Sequence, residues 1–263
     1  MNIIAVDIGN TNIDVGFFLK DEEQFIKSVP GGVESKLADL LNSTWQKIPV
    51  AKSSKEQKRD GVIVASSVRA AWTKQLRQIA GNLGEKIYLI GENIPLPMDM
   101  WVDEPEKVGT DRVISAAAAY AVVEEAVVVA DFGTAVTIDL VSERGIFLGG
   151  VICPGFDASA RALKKDTAQL PLVKVARPEN PFGRSTTEAI KCGLYYSAVG
   201  TLEEVIRRYA ENIGKWPQTV ITGSAAKIIK DDCPFIDSYV PHLVVKGIVL
   251  AYRKYIEAKA EAL

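Results

Sequence analysis

Short apolar runs and longer amphipathic stretches alternate along most of the chain. Residues 3–6 are apolar and rich in β-branched side chains, which is typical of a buried strand. Turn-forming residues follow at 9–12, and a second strand pattern resumes at 13–18. These two segments predict a β-hairpin. A third strand is predicted at 24–29 and a helix at 34–45, where apolar residues recur at helical spacing.

The remaining pattern continues to alternate between strands and helices, with Pro-rich or charged loops between them. Because the two kinds of element alternate, the chain is predicted to belong to the α/β class. Loops are predicted at 52–60 and 93–108. Further strands are predicted at 62–65, 86–90, 127–130, 136–140, 145–151 and 219–222, and further helices at 70–80, 111–124, 157–165, 186–212 and 243–260.

A short motif occurs twice, about half the chain apart. DIGNTNID begins at residue 7 and DFGTAVTID begins at residue 131. Each copy has a buried strand ending in Asp, a Gly-containing turn and a second strand. A repeat on this scale indicates two related domains facing one another across a cleft, and we expect them to comprise residues 1–123 and 124–263.

The repeated motif has the chemistry of a phosphate site. Glycine in the turn lets backbone N–H groups approach a phosphate without an intervening side chain. Asn10, Thr11 and Thr134 add hydrogen-bond donors, and an Asp carboxylate can hold a cation that neutralises phosphate charge. The alternative is that both copies are ordinary β-hairpins with Asx-type turns.

Composition narrows the class of partner and the compartment. The chain has 263 residues, 48% of them hydrophobic, and a formal net charge of -2. This balance offers no electrostatic basis for binding nucleic acid or an anionic membrane surface, so neither partner is expected. The three cysteines are far apart in the sequence, and we expect a reducing, cytoplasmic location. A single histidine excludes a two-histidine metal site within one chain.

Three further segments complete an ordered set of motifs: GTDR from residue 109, GGVICPG from 149 and GRST from 183. Together with the two Asp-Gly motifs, they resemble type III pantothenate kinase, within the acetate/sugar kinase, Hsp70 and actin superfamily. The resemblance covers essentially the whole chain. It implies an α/β fold of two related ribonuclease H-like (actin-like) domains facing across a central cleft.

The resemblance also implies an activity. A kinase of this family transfers the γ-phosphoryl group of ATP to pantothenate, giving 4'-phosphopantothenate in the first step of coenzyme A biosynthesis. It would use Mg²⁺ with ATP and a monovalent cation, K⁺ or NH₄⁺, and would act as a homodimer. Two alternatives remain open: another small-molecule kinase of the superfamily, or a non-enzymatic regulatory protein like the Bvg accessory factor.

Site residues follow from the motifs by resemblance. Asp111 would accept the proton of the acceptor hydroxyl, and Asp131 would hold the monovalent cation. ATP would be bound by Asp7, Ile8, Gly9, Asn10, Thr11, Asn12, Ile13, Asp14 and Thr134. Pantothenate would be bound by Gly109, Thr110, Asp111, Arg112 and Thr186.

The chemistry of the GTDR residues agrees with pantothenate binding, but it also allows a purely structural role at the helix start. Arg112 offers a guanidinium fork suited to the carboxylate of pantothenate. Alternatively, Thr110 or Asp111 caps the helix and Arg112 is solvated. Ser224 departs from the superfamily's Thr-Gly-Gly adenosine motif and would narrow the space beside the adenine. Members of the family often have an aromatic pocket residue upstream of the GTDR-like motif. Trp101 is the nearest candidate here, and we assign it no role.

Overall fold

The computed structural model describes residues 1–51 and 58–261, and most of the loop predicted at 52–60 lies outside these ranges. Within these ranges, ten strands and six α-helices follow one another in chain order. The strands are β1 Ile3–Ile8, β2 Asn12–Leu19, β3 Glu22–Pro30, β4 Val62–Ser67, β5 Ile87–Leu89, β6 Val127–Phe132, β7 Ala135–Val141, β8 Phe147–Pro154, β9 Gln218–Thr222 and β10 Ser238–Tyr239. The helices are α1 Glu34–Trp45, α2 Ala70–Asn82, α3 Thr110–Val123, α4 Phe156–Asp166, α5 Thr186–Ile213 and α6 Leu243–Glu261.

Two five-stranded sheets share one connectivity. The first sheet has the order β3-β2-β1-β4-β5, and the second, read from β8, has the order β8-β7-β6-β9-β10. In each sheet the first three strands are antiparallel and the last three are parallel. The α/β class and the internal repeat are thereby confirmed. The two-residue strand β10 was not predicted, because it is too short to carry a period-two pattern.

The chain divides into two compact units. Unit 1 contains the described residues of Met1–Met98, Glu106–Ala118 and His242–Leu263, and unit 2 contains Asp99–Pro105 and Ala119–Pro241. The domain boundaries expected from the sequence, 1–123 and 124–263, stay a prediction. By its contacts, however, helix α6 belongs to unit 1, where it packs on β1, β4 and β2.

The faces of the first sheet have different surroundings. Ile4, Val6 and Ile8 of β1 point into a core that includes residues of α1 and α2. Ile3 and Ala5 point to the other face and pack with residues of α6. Since side chains alternate along a strand, Asp7 falls on the α6 face.

The turns of the two sheets differ by one residue. Ile8 pairs with Ile13 across the first turn, whereas Phe132 pairs with Val136 across the second. Asp139, which the sequence repeat matched with Asp14, consequently pairs with Val129 and is 1% exposed. Because the second turn is one residue shorter, the first aspartates of the two motifs occupy equivalent positions in their sheets, whereas the last aspartates do not.

Helix α6 lies very close to α3 within unit 1. A Cβ at Gly247 would be 2.5 Å from the carbonyl oxygen of Ile114 and 2.6 Å from its Cγ2. Glycine is therefore needed for this helix contact.

Within residues 1–51 and 58–261, no helix combines the length and the apolarity that a bilayer crossing requires.

We expect Gly247→Ala to destabilise the protein by about 1–3 kcal/mol, because the added methyl group overlaps the α3 backbone. Gly193→Ala on α5 is the matched control, since no described heavy atom beyond its own helix backbone and chain neighbours lies within 4 Å of that Cβ. It should be neutral or stabilising by up to ~1 kcal/mol through helix propensity. Denaturant unfolding measures both. Equal effects of the two substitutions would contradict the close α6–α3 contact.

Candidate functional site

A row of polar residues crosses the first sheet near the carboxyl end of β1. Asp7 pairs with Asp14 on β2 and with Ser66 on β4, and Asp14 pairs with Ser28 on β3. Laterally paired residues point to the same face, with Cβ atoms of antiparallel partners about 5 Å apart. The row therefore gathers two carboxylates and two hydroxyls on the face that carries α6.

Asp14 is held by two side-chain contacts within unit 1, one from Ser28 and one from His242. The hydroxyl of Ser28 donates to its Oδ1. The Nδ1 atom of His242 lies 3.0 Å from its Oδ2. His242 immediately precedes α6 and has a positive φ of 53°. The only histidine of the chain therefore joins the start of α6 to the first phosphate motif.

The first Gly-containing turn is closed by its own backbone. The N–H of Gly9 donates to the carbonyl of Asn12 at 3.1 Å, so it serves the turn itself. Asn10, Thr11 and Asn12 are exposed. The flanking residues of the motif, by contrast, lie in the core, with Ile8 at 0% and Ile13 at 2% exposure. Any contact of these two isoleucines with a nucleotide must be made by their backbones.

The GTDR motif meets the polar row at Ser66. Thr110 begins α3, and its Oγ1 lies 3.0 Å from Oγ of the fully buried Ser66. Ser66 is in turn the lateral neighbour of Asp7. Unit 1 thus brings the Asp7–Asp14 motif and the GTDR motif to one face of one sheet edge.

Asp111 lies in the first turn of α3 and folds back over the helix start. Its Oδ1 accepts the N–H of Arg112 at 2.9 Å, and a Cβ at Gly109 would be 2.6 Å from the same oxygen. Burial raises the pKa of the Asp111 carboxyl above its ordinary value. The Arg112 N–H and guanidinium act in the opposite direction but do not cancel the desolvation. The carboxyl thus accepts one backbone N–H at the helix start, and its burial makes it more basic than an exposed aspartate.

In unit 2, Asp131 lies beside the glycine of the Thr-Gly-Ser segment. Asp131 pairs laterally with Thr137 and Thr222. Gly223 has a φ of 93°, and a Cβ there would overlap Oδ1 of Asp131 and the backbone of Phe132. Only glycine fits this position. Unit 2 therefore brings the second phosphate motif and the predicted adenosine motif together.

Thr134 and Thr186 are exposed in unit 2. The carbonyl of Thr134 accepts the N–H of Gly155 at 3.2 Å, which joins the second turn to the start of α4. Thr186 is the first residue of α5, after the capping residue Ser185, whose side chain accepts the N–H of Glu188. Ser224 is exposed, and Trp101 has 79% of its surface exposed.

Sequence reasoning did not assign a role to Ser28 or Ser66. Ser28 lies inside the strand predicted at 24–29, and Ser66 lies one residue beyond the strand predicted at 62–65. Their lateral pairing with the motif aspartates depends on the sheet register. Ser66 follows directly after the apolar run 62–65. A polar residue at the end of a predicted parallel strand is the signal that could have identified it.

No cluster of three His, Cys, Asp or Glu side chains suited to a metal ion occurs in the described part of the chain. Thr137 and Thr222 are the lateral neighbours of Asp131 in the sheet, so their side chains share one face with its carboxylate. All three cysteines are free thiols.

Known structures of similar fold identify the class. A Campylobacter jejuni protein described as a Baf family transcriptional activator aligns with a TM-score of 0.62, at 18% identity, over 97% of this chain and 99% of the other. MreB 5 of Spiroplasma citri, bound to AMPPNP, aligns with a TM-score of 0.52, at 10% identity, over 100% and 99%. At these identities the likeness shows the fold alone, which is the actin-like fold of two related α/β domains.

Sequence relatives identify the family within that class. The type III pantothenate kinase family model matches residues 3–208. A type III pantothenate kinase from Dehalococcoides mccartyi is 30% identical over 251 residues, covering 95% of this chain and 97% of the relative. The chain belongs to the type III pantothenate kinase family, whose members phosphorylate pantothenate in coenzyme A biosynthesis. The resemblance is confirmed, and the regulatory alternative is not favoured.

We expect Asp111→Asn to leave stability near pH 7 unchanged or raised. Burial penalises the folded carboxylate above its raised pKa, and this penalty disappears as the pH falls below the ordinary value of about 3.9. The amide removes the penalty, so the gain over the native protein should be largest near neutrality and shrink on acidification. Thermal unfolding of both proteins across this range tests the sign. A loss above ~1 kcal/mol near neutrality would instead make the carboxylate a stabilising cap.

Proposed function

We propose that this chain transfers the γ-phosphoryl group of ATP to the hydroxyl of pantothenate, through the residues that its motifs assign. The segment from Asp7 to Asp14 and Thr134 contact the ATP phosphates. Gly109, Thr110, Arg112 and Thr186 bind pantothenate, and Asp111 is the catalytic residue. Family membership supports the reaction, and the geometry of each unit supports the roles.

The contact between Ser66 and Thr110 carries this proposal. The hydroxyl of Thr110 meets that of Ser66 at 3.0 Å, and Ser66 neighbours Asp7 in the sheet. Phosphoryl transfer depends mainly on holding donor and acceptor in line. The GTDR motif is hydrogen-bonded to Ser66, the sheet neighbour of Asp7, and this linked arrangement suits that requirement.

The state of Asp111 suits a proton acceptor. The pantothenate hydroxyl oxygen forms a bond to the γ-phosphorus while the bond to the β,γ-bridging oxygen breaks, and the hydroxyl proton passes to the carboxylate. Burial raises the pKa of Asp111, which makes it a stronger base than an exposed aspartate. Arg112, next in the chain, offers its fork to the substrate carboxylate.

Two cations belong to the proposal. Mg²⁺ would be bound together with ATP and would supply positive charge that offsets the phosphate charge. Asp131 holds a monovalent cation, K⁺ or NH₄⁺. The donor set around Asp131 fits such an ion, because a carboxylate lies among lateral threonine neighbours and oxygen ligands suit hard cations. When bound, the ion supplies positive charge near the phosphates.

A homodimer also belongs to the proposal, since the family resemblance implies that both subunits close the pantothenate pocket. Unit 2 exposes several large apolar side chains, including Trp101 at 79% and Phe182 at 62%, which are compatible with a subunit interface. The cytoplasmic location stays a prediction.

The decisive test is ADP release from ATP in the presence and absence of pantothenate. Native protein should release ADP only with pantothenate, and Asp111→Asn should lower kcat by roughly 10²–10⁴-fold, the scale of a positioned acid–base group. ATP binding should survive in this variant, because the nucleotide contacts are assigned elsewhere. A coupled assay and calorimetric ATP titration measure the two effects.

Asp39→Asn is the matched control for this experiment. It makes the same change of charge at an exposed position on α1 of unit 1 and should keep native turnover. Near-native turnover by folded Asp111→Asn would reduce Asp111 to a structural role. Turnover with other hydroxylated acceptors but not with pantothenate would favour another small-molecule kinase.

The cation assignment predicts that replacing K⁺ by Na⁺ lowers turnover at least about tenfold, which corresponds to ~1.4 kcal/mol. Asp131→Asn should lose most of the K⁺ activation, because an amide supplies oxygen without charge. Asp166→Asn, at the exposed end of α4 in the same unit, should keep it. Steady-state rates in matched salts are the measurement. Equal rates of the native protein in both salts would remove Asp131 from this role.

A further inference from the structure

Arg69 lies next to the first phosphate turn although it is remote from it in sequence. It immediately precedes α2, at the end of the connection from β4. Strand β4 runs parallel to β1, and the N–H of Val68 donates to the carbonyl of Ile8 at 3.1 Å. The carboxyl ends of β1 and β4 therefore meet at the sheet edge where the turn begins.

One direct contact and one path through Gly31 link the middle of this turn to the start of α2. Nη2 of Arg69 donates to the carbonyl of Asn10 at 3.4 Å. The Arg69 guanidinium also lies over the ring of Trp72, 4.8 Å from its centroid. A Cβ on Gly31 would overlap that ring, and the N–H of Gly31 donates to the carbonyl of Thr11 at 2.8 Å.

The guanidinium keeps most of its donor capacity. It has five N–H groups in a planar fork, and the single bond to Asn10 is long. Within residues 1–51 and 58–261, no carboxylate forms an ion pair with it. Arg77 of the same helix, by contrast, pairs with Glu92 at 2.7 Å. Arg69 is exposed, so its charge is available at the turn that carries the phosphate motif.

We propose that Arg69 binds the polyphosphate of ATP and positions the phosphate turn for it, an inference that rests on the function proposed above. Guanidinium groups bind phosphate oxygens in a bidentate manner. Stacking on Trp72 holds the plane of the fork before the nucleotide arrives, which lowers the entropy lost on binding. The bond to Asn10 keeps the fork beside the exposed residues of the turn.

The test compares Arg69→Met, Arg69→Lys and the control Arg77→Met. Met keeps an apolar stem for the Trp72 ring but removes the charge. We expect the KM for ATP to rise roughly 10–100-fold in Arg69→Met, the range of a lost hydrogen bond to a charged group, with little change in the KM for pantothenate. Arg69→Lys should recover part of the loss because it keeps the charge. Arg77→Met should behave like the native protein.

Calorimetric titration with ATP, ADP and AMP separates a phosphate contact from a structural effect. The loss caused by Arg69→Met should be largest for ATP and small for AMP, which lacks the β- and γ-phosphates. An equal loss for all three nucleotides, a rise in both KM values, or a Lys variant no better than Met overturns the proposal. If native protein shows no pantothenate-dependent turnover, the proposed function fails. If it turns over and Arg69→Met keeps the native KM for ATP, only the role of Arg69 fails.

Discussion

The register of β1 against β2 and β4 is the constraint on which the candidate site depends. It sets Asp7 opposite Asp14 and beside Ser66, and strand alternation then turns all three to the α6 face while Ile8 and Ile13 enter the opposite core. A slip of one residue would exchange these faces and bury the carboxylates in an apolar core. The large apolar burial on both faces of β1 therefore also secures the polar row at its end.

The second sheet repeats the constraint with different residues around it. Asp131 occupies the position of Asp7, but its lateral neighbours are Thr137 and Thr222, and Gly223 packs directly against it. One sheet thus ends in two aspartates and the other in one aspartate among threonines. This difference in charge is consistent with unequal tasks for the two motifs on a common scaffold.

Asp111 shows how burial tunes a residue of ordinary type. Its contacts with the Arg112 N–H and guanidinium favour the carboxylate, yet desolvation outweighs them and raises the pKa. Functional sites commonly keep such a stability cost because it produces reactivity. Arg69 differs from Asp111 because its charged group is exposed to solvent. Stacking on Trp72 and the hydrogen bond to Asn10 hold its guanidinium beside the phosphate turn.

Local pattern was enough to predict most elements of this protein and its family. Helix α1 was predicted with its observed bounds, and the Gly-containing turns were recognised, because hydrophobic period and turn chemistry depend on neighbours in sequence. The roles of the motif residues came from family resemblance and stay predictions. Only the tertiary structure decided that α6 returns to unit 1, that Thr110 meets Ser66, that Arg69 reaches Asn10 and that Asp111 is desolvated. Each of these depends on strand pairing or packing between segments far apart in the chain, which no local pattern encodes.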